Sequence, residues 1–87
     1  MKADKKAVGR LLKTARGQID GILEMIENDR YCVDISNQLL ATRSILTKAN
    51  QMVLKAHLQG CVQDAFENGD AEAKIDEVIQ LLEKMNR

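Results

Sequence analysis

The chain has 87 residues, with 13 Lys plus Arg balanced by 13 Asp plus Glu, so its formal net charge is zero. It contains no Pro, no Trp, one Tyr and one Phe, whereas Leu, Ile, Ala, Lys, Glu and Gln are plentiful, the composition of a small all-α domain. That length allows a single domain, residues 1–87; with no apolar run near the roughly 20 residues of a membrane span and no signal-type apolar core after the charged start, the chain reads as cytoplasmic, with no membrane partner.

Helix 1 is predicted over about residues 5–28. There Val8, Leu11, Leu12, Ala15, Ile19, Ile22, Leu23 and Ile26 recur at spacings of three and four and draw one apolar stripe. Gly9, Gly17 and Gly21 either weaken this helix or admit a partner backbone at close range, and spacing alone does not choose. Charge is also concentrated here. In residues 1–18, Lys2, Lys5, Lys6, Arg10, Lys13 and Arg16 stand against Asp4 alone, a local balance of +5. Residues 61–87 reverse the sign, with Asp64, Glu67, Asp70, Glu72, Asp76, Glu77 and Glu83 outnumbering Lys74, Lys84 and Arg87. A locally basic helix can meet phosphates on a neutral protein, although plain solvation is the commoner use of such a face.

Glu27-Asn28-Asp29-Arg30 punctuates the chain, and helix 2 follows over about 33–67. Ile35, Leu39, Thr42, Leu46, Ala49, Val53 and Ala56 form its stripe, widened by Leu40, Ile45, Met52 and Leu58. Such a helix is roughly 50 Å long, more than the width of an 87-residue globule, so it needs a partner along much of its length. Asn68-Gly69 is a stop signal and Asp70 an N-cap for helix 3, about 71–84, with Ile75, Val78, Ile79, Leu82 and Met85 on its apolar side. The economical architecture is a helical hairpin that pairs with a second copy into an antiparallel four-helix bundle, helix 3 being an appendage.

Chemistry is concentrated in three residues, since Cys32 and Cys61 are the only cysteines and His57 the only histidine. His57 and Cys61 are four apart, hence on one helix face one turn from each other. With Cys32 they make an N/S donor set suited to Cu(I) or Zn(II). The plain alternative is that the thiols and the imidazole are packed core groups. In a cytoplasmic protein two cysteines point to reduced thiols with a metal or redox role ahead of a structural disulfide. Cys32 and His57 are separated by about 37 Å of straight helix and cannot share an ion within one chain. If two long helices run antiparallel in a dimer, Cys32 of one copy can meet His57 and Cys61 of the other, twice per dimer. No nucleophile and base stand at readable spacing and there is no phosphate loop, so the chain is not read as an enzyme.

Gly17-Gln18-Ile19-Asp20-Gly21-Ile22, Tyr31-Cys32, Gln38-Leu39-Leu40-Ala41-Thr42-Arg43 and His57-Leu58-Gln59-Gly60-Cys61-Val62 together resemble the copper-sensitive operon repressor (CsoR) family, over about residues 5–84. The resemblance implies a small all-helical repressor that assembles as a dimer of dimers (homotetramer) and binds double-stranded operator DNA without a helix-turn-helix. It also implies a ligand set: Cys32, contributed by the opposite subunit, with His57 and Cys61, the pattern of the Cu(I) sensors. Nickel and cobalt sensors use a histidine near the N-terminus and another at the position of Cys61, formaldehyde sensors lack that cysteine, and persulfide sensors lose the histidine. His57 therefore discriminates, and Cu(I) is the expected regulatory ligand. Tyr31 and Glu77 fall where copper-sensing relatives place residues that support the ligands, Glu77 accepting a hydrogen bond from the His57 ring; otherwise they are an ordinary loop aromatic and a solvated carboxylate. Arg16 and Arg43 are the best-matched DNA-binding candidates, with Arg10, Lys13, Lys48, Lys5 and Lys6 in support. Where many relatives carry Arg-Leu-x-Arg before the Gly-Gln pair, this chain reads Leu11-Leu12-Lys13-Thr14-Ala15-Arg16. The expected function is thus a repressor that holds DNA when metal-free and releases it on binding Cu(I). The alternatives are a persulfide or thiol-redox switch of the same family using Cys32 and Cys61, and a helical interaction module with an incidental thiol pair.

Overall fold

The computed structural model describes residues 1–69 and 71–85, and among these it contains three α-helices and no strand. Helix α1 spans Lys5–Glu27, α2 spans Cys32–Asn68 and α3 spans Ala71–Met85, each within one residue of the expected bounds. The proposed N-cap of α3, Asp70, lies outside the described residues. None of the described helices is long and apolar enough to cross a membrane.

The ends of the helices follow from local chemistry. Asp4 has an extended backbone, and its carboxylate accepts from the N–H groups of Lys6 (2.9 Å) and Ala7 (3.3 Å), two of the donors that the first turn of α1 would leave unpartnered. At the other end Arg30 N–H donates to the Met25 carbonyl and Asp29 N–H to that of Ile26. This is the paired bonding of a Schellman motif. Its left-handed residue is Asp29, at φ 51°, a position glycine usually fills and a short polar side chain tolerates. The Tyr31 carbonyl then accepts from Asp34 and Ile35 and starts α2 with Cys32 as its first residue. α2 stops where expected: Gly69, at φ 79°, donates to the Ala65 carbonyl at 2.7 Å.

The chain's internal contacts form two compact units. One is Asp4–Gln51; the other joins Met1–Ala3 to the chain from Met52 onward. In the first, Val8, Ala15 and Ile22 are buried on α1, and Thr42 and Ala49 on α2 with Ile35 half-buried. Both sets repeat every seven residues, and the half-buried Leu11, Gln18 and Met25 fall three after each α1 member. That is the a/d pattern of a coiled-coil pair, with small residues at its centre. Thr42 brings a hydroxyl into this apolar stripe, 2.8 Å from Gln18 Oε1 and 3.1 Å from the Gln38 carbonyl. Its single proton can serve either acceptor. Thr42→Val keeps the shape but leaves the Gln18 amide without its inter-helix donor, and is expected to destabilise by about 1–2 kcal/mol; urea unfolding of the variant checks this.

In the second unit Ala3, Cys61, Ala65 and Val78 are buried. α3 turns Val78 and the half-buried Leu81 inward, whereas Ile75, Ile79 and Leu82 stay 45–48% exposed. The apolar stripe read from the sequence is therefore only partly covered by the chain itself. The same holds in the first unit, where Leu23, Ile26, Leu39 and Leu40 are all more than half exposed. These large apolar side chains are left uncovered by the chain itself.

Candidate metal centre

The second unit assembles a short polar chain around His57. On α2, His57 Nε2 lies 3.2 Å from Cys61 Sγ, the contact that an i, i+4 pair on one helix face permits. The same nitrogen lies 4.0 Å from Glu77 Oε1 on α3, and the second oxygen of that carboxylate lies 3.8 Å from Lys74 Nζ. Glu77 is thus held between an imidazole and an ammonium one turn back on its own helix. These groups are partly solvated, so the pairs add little stability. At 4.0 Å the Glu77 carboxylate is an ion-pair neighbour of the ring and not a hydrogen-bond partner, the nearer contact of Nε2 being Cys61 Sγ.

The two candidate ligands on this unit differ in exposure. Cys61 is buried and His57 half-buried. Beside His57 a recess of about 420 Å³ is lined by Met1, Lys2, Val53, Leu54, Glu77 and Leu81. Cys61 borders a smaller one of about 100 Å³ with Asp64, Ala65, Asn68 and Lys74. Neither cysteine is in a disulfide, so thiol chemistry is open to both.

The remaining candidates belong to the other unit. Cys32 is exposed at the first position of α2, and Tyr31, 67% exposed, immediately precedes it. Arg10, Lys13 and Arg16 are exposed on α1, as are Lys5 and Lys6 in its first turn. Arg43 and Lys48 are exposed on α2, along an open strip with Leu40, Ser44, Thr47 and Gln51. Among the described residues no three His, Cys, Asp or Glu side chains converge to hold a metal ion. Within its own unit the chain presents two soft donors, an imidazole and a thiol. Their chemistry fits a soft or borderline metal and leaves such an ion short of ligands.

The spacing of His57 and Cys61 was legible in the sequence. The i, i+3 spacing of Lys74 and Glu77 is an equally local signal for their pairing. Lys2, whose Nζ lies 3.6 Å from Asp64 Oδ2, has no local signal, since it reaches a residue 62 positions away.

The family model of metal-sensitive transcriptional repressors matches residues 4–84. The chain belongs to this family. Among family relatives, the copper-sensing transcriptional repressor CsoR of Mycobacterium ulcerans (strain Agy99) is 48% identical over 75 residues, covering 86% of this chain and 64% of its own length. This chain therefore spans just under two thirds of that relative. CsoR of Bacillus subtilis (strain 168), also a copper-sensing repressor, is 37% identical over 84 residues, covering 97% of this chain and 83% of its own length. The fold is similar to the crystal structure of the copper-sensing repressor CsoR with Cu(I) from Geobacillus thermodenitrificans NG80-2, with a TM-score of 0.85, 28% identity, and coverage of 95% of this chain and 86% of that one.

Proposed function

We propose that the chain is a Cu(I)-responsive repressor that binds double-stranded operator DNA when metal-free and releases it when Cu(I) binds Cys32, His57 and Cys61. One observation carries this reading: His57 Nε2 and Cys61 Sγ lie 3.2 Å apart in a chain whose relatives in M. ulcerans and B. subtilis are copper-sensing repressors. Two thiolates and an imidazole suit a soft d¹⁰ ion. Cu(I), when bound, draws both cysteines into their thiolate form and releases their protons.

Each residue has a role in this reading. Cys61 and His57 supply the donors of one chain. Cys32, about 37 Å of helix from His57 by the rise of α2, comes from a second copy, and the exposed apolar residues of both units support such an assembly, a homodimer and on the family pattern a homotetramer. Glu77 orients the His57 ring, held in turn by Lys74, and Tyr31 supports Cys32 from the adjoining position. Arg16 and Arg43, with Arg10, Lys13 and Lys48, contact DNA phosphates in a cytoplasmic protein. By linkage, whatever factor Cu(I) takes from DNA affinity, DNA takes from Cu(I) affinity, on the order of 1–3 kcal/mol in coupled systems of this kind.

Anaerobic titration is the direct test. One Cu(I) per protomer is expected to bind tightly enough to survive competition with a strong chelator, and His57→Ala to weaken it. Weak binding, or binding indifferent to His57→Ala, sinks the copper reading. Tight binding lost only with the cysteines would move the assignment to a thiol-based switch.

A further inference from the structure

We propose that Met1–Ala3 forms a strap over the His57–Cys61 pair, clasped by Lys2 across Gly60 onto Asp64, and that this strap limits access to the Cys61 thiol and the His57 ring. As regulation of the metal centre the proposal rests on the copper reading, but the strap itself is a property of the metal-free protein.

Four observations converge on it. Met1–Ala3 is part of the compact unit that contains the end of α2, and Ala3 is buried there. Lys2 runs directly over Gly60: a Cβ built on that glycine would lie 2.9 Å from Lys2 Cδ and 3.1 Å from both Cε and Nζ. The Lys2 ammonium continues to Asp64 Oδ2 at 3.6 Å. Met1 and Lys2 also line the recess onto which His57 opens.

Helix periodicity ties these contacts to the metal donors. Residues 57 and 61 form one i, i+4 row, and 60 and 64 form the next row on the same side, with 57 to 60 and 61 to 64 at i, i+3. The Lys2 stem therefore occupies the row beside His57 and Cys61. A Cβ at Gly60 would meet the flexible far end of that stem, which would have to shift. By contrast, a Cβ at Gly9, Gly17 or Gly21 would meet nothing within 4 Å, so Gly60 is the helical glycine that another segment of the chain crosses.

The clasp is weak by construction. Lys2 and Asp64 are 56% and 60% exposed, and ion pairs so solvated contribute little. A strap held this way opens readily and delays entry without sealing the site, as expected of a segment from the low-stability end of a structure.

Alkylation of Cys61 by iodoacetamide, followed by mass spectrometry in metal-free protein with Cys32→Ser as the parent, reads the strap directly. Lys2→Ala is expected to speed the reaction about threefold to tenfold, as local opening exposes the thiol. Lys2→Arg, which keeps stem and charge, should leave the rate near that of the parent. Gly60→Ala, whose new Cβ displaces the Lys2 stem, should speed it similarly and add nothing when combined with Lys2→Ala. Far-UV circular dichroism verifies that each variant remains helical. A parental rate in Lys2→Ala overturns the strap, as do fully additive effects of the two substitutions. Because no copper is present, neither result bears on the titration that tests the copper reading.

Discussion

Neither a Cys32→Ser protein nor a Cys61→Ser protein is expected to hold Cu(I) against a strong chelator, yet the two unfolded and refolded together should regain about one site in four if the proposed site is shared between copies. The arithmetic follows from a shared site. Random pairing makes half of the dimers mixed. In each mixed dimer, the Cys32 of one copy meets the His57 and Cys61 of the other in one intact site, while the second site lacks both thiols. Within its own unit the chain supplies only the pair at 3.2 Å, and no three-ligand cluster exists among the described residues. Loss of a ligating thiolate should weaken binding by more than the roughly tenfold to hundredfold typical of losing a group that merely supports a ligand. Competition titration of the mixture, against each variant refolded alone, decides the matter. If the mixture binds no more than its components, Cys32 is not shared across the dimer and the site must be built in some other way.

The helices were readable because their signals are local. Apolar residues at spacings of three and four, a polar break at residues 27–30 and Asn68-Gly69 located all three within one residue at each end. Asp29 was less readable, since a left-handed C-terminal residue is usually glycine and aspartate carries no comparable signal. The stripe positions were identified as apolar, but periodicity does not say which neighbour covers them. Val8, Ala15 and Ile22 are covered by their own unit, whereas Leu23 and Ile26 on the same helix are not. His57 and Cys61 could be paired from sequence because a helix turn alone brings them together. The approach of Glu77 to His57 depends on how α3 returns onto α2, for which spacing has no rule. That residue was reached through family resemblance, while the Lys2 strap, a contact between distant parts of the chain, was not reached at all.

The DNA contacts proposed for Arg16 and Arg43 predict a measurable signature in salt. The protein as a whole is neutral, so affinity for a polyanion must come from the local excess on α1 and from Arg43 and Lys48 on α2, all of them exposed. Each phosphate neutralised contributes about 0.9 to the slope of log affinity against log salt concentration. In a two-fold symmetric complex one substitution removes two such contacts. Arg16→Ala and Arg43→Ala are therefore each expected to reduce the slope by about 2 and to lower operator affinity at least tenfold near 0.1 M salt. Lys84→Ala, on α3 and in the other unit, serves as the control and should leave both quantities unchanged. Fluorescence anisotropy with operator DNA at several salt concentrations separates the outcomes. A contact that positions the protein on phosphates changes slope and affinity together and does so for unrelated DNA sequences too. If Arg16→Ala and Arg43→Ala lower affinity with no change in slope, these arginines are not on phosphates, and the basic face of α1 is only a solvated surface. If they change neither, operator contact must be sought away from this face.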